Sequence, residues 1–504
     1  MLIAGAGPTG LVLALWLTKL GVRVRIIDKL AEPGTTSRAL AVQARTLEFY
    51  QQIGIAQPVV DRGHKVLGLN LWVKGARAAW VPIENLGSGL TPFPFPTIFP
   101  QDEHERLLIE HLHALGVEVE RPVELTGFEE SGGEIRATLR KAGSEETATY
   151  AYLAGSDGAR SKVRDVLNIG FPGGTYDHLF YVADVVAAGP PMDGELHVGL
   201  DEADFLAVFP LADQGRARLI GSVRNEAAKD HEHLQFEDVR DRVIQNLKVE
   251  IKRVNWFSTY RVHHRVAHSF RRGRAFLLGD AAHIHSPVGG QGMNTGIGDA
   301  VNLAWKLAAA LKEPASAALL DSYEPERIAF AQRLVATTDR VFTGVISSSP
   351  LARFVRTKVI PMLAPVLFRL PAMRRFAFRT VSQIAVNYRG SSLSVGEAGK
   401  THGGDRLPWV NVGAQGKDNF APLNSLDWQI HVYGDAASGL AVLSDLQKIP
   451  LHVFAWNSRM EQAGLRRNAA YLVRPDGYVA LASAEASAAA IASYLNDKKI
   501  KPLH

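Results

Sequence analysis

The residues from Ala275 to Asn294 combine the groups that a nucleotide-linked ligand needs. Asp280 places a carboxylate just after an apolar run, Ala275 to Leu278, that reads as a short buried strand. Open α/β sheets bind ligands at such carboxyl ends. Gly279, Pro287, Gly289, Gly290 and Gly292 then make a loop whose backbone can approach a flat ligand and present N–H groups to it. From Asn294 a helix takes over, with Val301, Leu303, Ala304, Trp305 and Leu307 among its apolar positions. Its positive end points at whatever the loop holds. A carboxylate for sugar hydroxyls, a glycine-rich loop and a helix dipole suit an anionic, planar, nucleotide-linked cofactor; the plainer alternative is a tight strand-to-helix turn.

Such a site needs a parallel sheet behind it, and the amino terminus supplies the matching element. Leu2 to Ala4 is an apolar strand, expected to be short because it begins almost at Met1. It runs into Gly5-x-Gly7-x-x-Gly10, followed by an apolar helix to Leu20 and a second strand, Val22 to Ile27, ending at Asp28. This is the dinucleotide fingerprint in its proper context. Gly5 makes the turn, Gly7 admits a pyrophosphate, Gly10 lets helix and strand pack, and Asp28 stands where an acid takes ribose hydroxyls. Pro8, Thr9 and Lys29 belong to the same turn regions. A third strand-to-helix turn is marked by Asp157 and Gly158, with Arg160, Lys162 and Arg164 after it. It reads as a second nucleotide-facing turn or as an ordinary Asp-Gly turn.

Arg38 and Arg45 either pair with phosphate or sit solvated. Alternation from His64 onward, then the Pro/Phe-rich run Thr91 to Thr97, reads as strands and an extended loop. There Phe93 and Phe95 either line an aromatic pocket or pack in a core. Gln101 opens a helix. Alternation across Phe180 to Val223 and Val254 to Tyr260 predicts an antiparallel sheet, with a helix over His233 to Val249 between. Leu351 to Phe378 is apolar and Arg-rich, with Pro361, Pro365 and Pro371. It reads as kinked helices covering the first domain in preference to a segment lying on a membrane surface. Glycine and serine from Gly390 to Gly404 mark a linker. Strands near Trp428, Leu451, Ala470 and Tyr478 and an Ala-rich helix from Glu485 form a further small α/β unit.

Composition narrows the function. The chain has 504 residues, 46% hydrophobic and 21% charged, which suits a folded protein of two or three domains. The net charge of +5 is spread over mixed signs, with no basic run of the kind nucleic acid requires. With no cysteine there are no disulfides, thiolate nucleophiles or thiolate metal sites, and no metal site is expected. A reducing cytoplasm agrees with that. No apolar run reaches membrane-spanning length and no signal peptide is visible.

In order and spacing, Gly5 to Gly10, Asp157-Gly158 and Gly279-Asp280 with the loop to Asn294 resemble the FAD-dependent aromatic hydroxylases, the single-component flavoprotein monooxygenases. Ser37 to Leu40, Arg45 to Glu48, Gln101 and Asp299 to Lys306 strengthen the resemblance. It covers residues 1 to about 340; the tail around Tyr471 to Val479 resembles the thioredoxin-like domain of the phenol and polyketide hydroxylase branch. The resemblance implies an α/β fold: a Rossmann-like FAD-binding domain (1–64, 101–170 and 270–345) with an inserted antiparallel-sheet substrate domain (65–100 and 171–269). A helical connector (346–392) and a thioredoxin-like domain (393–504) follow, the last without dithiol chemistry. A homodimer is possible.

The resemblance assigns Gly5, Gly7, Gly10 and Asp28 to the adenosine half of FAD, and Arg38, Gln101, Asp157 and Asp280 to its phosphates and ribityl chain. Pro287 to Asn294, including Met293, flank the isoalloxazine, and Asp157-Gly158 also serves NAD(P)H. The implied reaction reduces FAD with NAD(P)H, forms a flavin C4a-hydroperoxide with O₂, and hydroxylates a phenolic or polycyclic aromatic ring. Its apolar pocket is expected from Trp72, Phe93, Phe95, Leu206, Val208, Phe209 and Met293. No general base is singled out; His64, His197, His283 and His285 are candidates by type, with a structural role the commoner outcome. Epoxidation, Baeyer–Villiger oxidation, antibiotic inactivation and a non-catalytic FAD-binding role stay open beside hydroxylation.

Overall fold

The computed structural model describes residues 1–34, 39–200, 205–213, 215–223, 234–238, 244, 247–286, 288–347, 349–412 and 418–503. Arg38, Pro287 and part of the helix expected over His233 to Val249, namely 233, 239–243, 245 and 246, lie outside the described residues.

Three parallel strands, Leu2–Ala4, Leu153–Gly155 and Ala275–Leu277, lie side by side in a six-stranded sheet. Every residue in them is buried, as apolar runs covered on both faces must be. The first strand is short, as expected, but fully paired on both edges. Arg25–Ile27 and Val119–Glu120 extend the sheet in parallel, and Arg271–Arg272 closes the other edge antiparallel. Because the register aligns Ala4, Gly155 and Leu277, the three glycine- and aspartate-bearing turns emerge at one edge.

The helices Pro8–Lys19 and Gly292–Lys312 cover this sheet, the first with an unbroken buried run from Gly10 to Leu17. Their approach depends on glycine. A Cβ at Gly296 would stand 2.3 Å from the Thr9 hydroxyl oxygen, and one at Gly279 2.7 Å from it.

An eight-stranded sheet forms the second layer. Its long strands, Gly173–Ala188 and Glu250–Val266, pair with each other, and Arg216–Val223, Leu206–Pro210, Leu196–Gly199, Gly68–Val73 and Ala76–Pro82 follow outward. The expected antiparallel pattern holds except where Leu196–Gly199 runs parallel to Gly68–Val73. Alternate residues serve opposite faces. Trp72, Tyr181, Leu206, Val208 and Leu219 pack with Phe236 and Leu247 on one. Val182, Phe209, Leu211, Ile220, Trp256 and Tyr260 pack with Leu40 and Ile98 on the other.

Helices Tyr323–Ile346, Pro350–Phe354, Ile360–Leu367 and Pro371–Val381 lead to a separate four-stranded sheet. Its order is Leu451–Phe454, Gln429–Tyr433, Ala470–Val473 and Val479–Ser483, with the first pair parallel and the others antiparallel. Helices Ser438–Gln447, Ser458–Ala463 and Ala488–Asp497 accompany it. The stretch expected as a linker is bound in. Val395 N–H donates to Ala480 O, Gly404 N–H to Val479 O, and Tyr388 and Leu393 are buried. Trp305 and Trp428 meet edge to face at 5.5 Å, so one apolar core runs from the main sheet into this unit. No helix among the described residues is long and apolar enough to cross a membrane.

Candidate functional site

The first turn is shaped for a ligand's backbone approach. Gly5 has φ +102°, and a Cβ there would stand 2.3 Å from Ser156 O; one on Gly10 would stand 2.0 Å from Gly5 O. Gly7 differs, since a Cβ there would meet nothing within 4 Å. Gly7 N-caps the helix Pro8–Lys19, and no side chain caps its N–H groups, so the positive end faces open space. Asp28 closes the neighbouring strand. Its carboxylate accepts from Ala6 N at 2.8 Å and Leu30 N at 2.9 Å, with Arg121 Nη1 at 3.3 Å. Arg121 also donates to the carbonyls of Ala6, Leu30 and Glu32. Lys29 is exposed beside it. Gln101 lies nearby at the start of its helix, its backbone N–H on Ala39 O and its side chain on Glu105.

Asp157 sits at the second turn, but its carboxylate is occupied locally. It accepts from the Ser161 hydroxyl, from Lys162 N at 2.7 Å and from Val163 N at 3.1 Å, tying down the start of the helix Lys162–Val166. Burial pushes its carboxyl above the usual range against these bonds. Gly158, at φ +81°, is the part of this turn with open space beside it.

The third turn is held from below. Gly279, at φ +56°, lets the chain reverse so that Asp280 is exposed while Gly279 and Ala281 stay buried. Buried Asp299, about two turns into the long helix, accepts from Gly279 N at 3.0 Å and from Arg327 Nε at 2.6 Å, with His283 Nε2 at 2.7 Å. Burial opposes its ionisation, yet Arg327 and His283 hold its carboxyl below the usual range. Uncharged amides fasten the glycine loop itself. Asn294 Nδ2 donates to Ala41 O and Gly290 O, while its Oδ1 accepts from Gln43 N and the Thr46 hydroxyl. Gln43 and Gln291 both donate to Gly289 O. Gly290 is pressed against the same segment, for a Cβ there would stand 2.7 Å from Ala41 Cβ. Asn294 thus shapes the loop from behind.

His285 is held differently. Its Nδ1 lies 2.8 Å from Ser286 O, so the proton sits on Nδ1. Nε2 is buried with no partner among the described residues. A Cβ on Gly292 would stand 3.8 Å from this ring and meets nothing nearer. Burial pulls His285 down to about 4, so it is neutral near pH 7. His64 lies against Gly194 O in a small separate sheet, and His197 is built into the second sheet between Trp72 and Asp193, so both have structural partners.

The expected pocket wall divides. Phe209 lies on the sheet face that packs with Leu40 and Ala41, the segment touching Gly290. Trp72, Leu206 and Val208 face the other way, into the cluster with Phe236, because β-strand side chains alternate. Those three pack away from the glycine loop, whereas Val182, Ile220, Trp256 and Tyr260 stand on the loop side. Phe93 and Phe95 are partly buried against the main core, Phe93 beside Ala44 and Phe378, and Phe95 under Lys65 Nζ at 4.7 Å. Met293 is partly buried at the head of the long helix.

Arg45 is bonded away from the three turns. It is buried and turned to the C-terminal unit, donating to Glu48 at 2.8 Å and Asp476 O at 2.7 Å, over the rings of Phe49 and Tyr478. Arg406 pairs with the same Glu48. Nearby, Glu326 accepts from Lys306, Asn302, Ser391 and Arg474, and Arg474 also pairs with Asp476. Asp299, Arg327, Arg121 and Gln43 were not singled out as site-shaping residues. Their only local signal is polar character within apolar or loop sequence, and their partners lie far along the chain.

The three turns thus share one edge, with open faces at Gly7, Gly158 and Gly292, an exposed carboxylate at Asp280 and two uncapped helix starts. That donor set and spacing fit an extended dinucleotide lying across the edge with its ring near Gly292. Among the described residues, no group of three or more His, Asp or Glu is placed to hold a metal ion.

Residues 1–338 match the family described as FAD binding domain. The chain is 37% identical over 421 residues to 6-methylpretetramide 4-monooxygenase of Streptomyces rimosus, covering 82% of this chain and 73% of that one. It is 31% identical over 419 residues to pentachlorophenol 4-monooxygenase of Sphingobium chlorophenolicum, covering 81% and 75%. The solved structure of OxyS anhydrotetracycline hydroxylase from Streptomyces rimosus superposes with a TM-score of 0.79 at 28% identity, covering 98% of each chain.

Proposed function

This chain belongs to the FAD-binding-domain family of flavin-dependent aromatic monooxygenases, and from that premise we propose how its residues divide the work and what it oxidises. It is an oxidoreductase that uses FAD, NAD(P)H and O₂ to hydroxylate an aromatic ring. We take the substrate to be a phenolic polycycle of the polyketide type. The names of the relatives and the apolar sheet face beside the glycine loop support that choice.

The observation that carries the site assignment is the meeting of three glycine-bearing turns at the carboxyl ends of adjacent parallel strands. Gly5, Gly7 and Gly10 with the uncapped helix start take the pyrophosphate, and Asp28 takes the adenosine ribose. Asp280 hydrogen-bonds the ribityl hydroxyls. Gly289 to Met293 flank the ring, where the start of the long helix offers fixed positive dipoles to charge developing there. FAD, when bound, supplies the redox chemistry that carries one oxygen atom from O₂ to the ring. Val182, Phe209, Ile220, Trp256 and Tyr260 exclude water and position an apolar substrate.

The domain assignment follows the same lines: an FAD-binding sheet, an inserted substrate sheet, helical cover and a C-terminal thioredoxin-like unit. The βαβαββα order of that unit, with one parallel and two antiparallel strand pairs, supports the last assignment. We place the reaction in the cytoplasm, where NAD(P)H is available. The experiment is to assay NAD(P)H consumption with a panel of phenols and polycyclic phenols, using mass spectrometry for one added oxygen. Substrate-independent oxidation that yields only peroxide across the panel would reject the proposed substrate class.

A further inference from the structure

We propose that the outer face of the helices between Pro350 and Val381 docks on an anionic lipid surface. Eleven of the twenty large apolar side chains exposed among the described residues fall between Leu351 and Val381, so exposure is concentrated here. Leu351, Phe354, Met362, Val366, Leu370 and Phe376 are between 53% and 73% exposed. They are not needed to fix the helices. The inner face is already anchored, with Phe378 buried beside Ala44 and Ile384 and with Ala364 and Phe368 packed on the second sheet.

Charge selects the occupant. From Asp339 to Glu397 the sequence holds nine Arg and Lys residues and no intervening Asp or Glu. Arg353, Lys358, Arg369, Arg375 and Arg379 among them are exposed. A second copy packed symmetrically on this face would set the segment's cations against their own copies, with no carboxylate of the segment to pair them. An anionic bilayer answers both features: acyl chains take the apolar side chains, while phosphates meet the arginines, whose long stems let the charge stay at headgroup level. The helices would lie in the plane of the interface, without spanning it. Docking would bring lipid close to the cover that carries Phe368, which packs on the loop-side face of the second sheet. A water-insoluble polycycle would then have a short path from membrane to pocket.

The test is flotation of the FAD-loaded protein with vesicles of phosphatidylcholine, alone or mixed with phosphatidylglycerol. Binding is expected to rise with phosphatidylglycerol and to fall with added salt. Met362→Ser with Phe376→Ser should weaken partitioning by at least about tenfold. Arg369→Glu with Arg375→Glu and Arg379→Glu should abolish the preference for phosphatidylglycerol. FAD content and circular dichroism should match wild type in both variants, since all five side chains are exposed. Absence of binding to either vesicle, or equal binding to both, would overturn the proposal. So would a dimer in sedimentation equilibrium that Met362→Ser with Phe376→Ser dissociates, because the occupant would then be a second copy.

Discussion

The two halves of the helix Gly292–Lys312 solve opposite problems. At its start the chain makes room: Gly289 and Gly290 are fastened from behind by uncharged amides, and a buried imidazole nitrogen is left without a partner among the described residues. Three turns on, Lys306 and Asn302 close against Glu326, Arg474 and Asp476 in a fully buried set of charges that satisfy one another. Neutral amides shape a loop at modest desolvation cost, which suits a place that must take in a cofactor. Paired ions need geometry that never changes, which suits a permanent seam. Asp299 joins the two, with Gly279 N and His283 on one side and Arg327, which donates to the Tyr388 hydroxyl, on the other.

The largest effect is expected at the seam. Glu326→Ala removes the partner of Lys306 and of one side of Arg474, leaving buried cations uncompensated. Stability in urea or thermal unfolding should fall by about 3–5 kcal/mol. FAD bound per folded molecule should stay near wild type; wild-type stability with lost FAD would reverse the roles given to the two halves. Next comes the loop. Gly290→Val, at φ +62° and against Ala41, should displace the ring site while the adenosine half still binds. Hydroxylated product per NAD(P)H should drop by about a hundredfold, with peroxide rising to match. Unchanged coupling would take this loop out of the active site.

Asp280→Ala is a smaller change. It removes charge-assisted bonds to the ribityl chain worth about 1.5–3 kcal/mol, seen as a tenfold to hundredfold weaker FAD affinity in titration. The smallest effect, taken per residue over one pH unit, is acid sensitivity, which comes from histidines outside this helix. Burial lowers His104 to about 3, His431 to about 3 and His285 to about 4. Each is neutral in the fold but charges in the unfolded chain below about pH 6.5, so their stabilisation is present above that pH and is lost as pH falls towards 4. The free energy of unfolding should decline over that window, by about 1 kcal/mol per histidine in the first pH unit. His431→Gln should flatten the decline, and an unchanged profile would show that His431 is not buried neutral.

Much of the site was legible because its signals are local. Gly5 and Gly279 take the positive φ of their turns and Gly10 lies against Gly5 O, and a buried strand before a glycine loop is recognisable from apolar runs alone. The four strands of the C-terminal unit followed from the same alternation. Tertiary structure decided what periodicity leaves open. Alternation shows that Leu206 and Val208 oppose Phe209, but only packing determines which face meets the glycine loop. Arg45 reads as a phosphate ligand until Asp476, from the far end of the chain, arrives beside it. Asp157 reads as a ligand residue until the next helix turns its N–H groups onto the carboxylate. The glycine- and serine-rich stretch reads as a linker until the strand Val479–Ser483 claims its hydrogen bonds. Backbone constraints are written within a few residues, whereas the partner of a charge or of an unpaired N–H is whichever group the completed fold brings within reach.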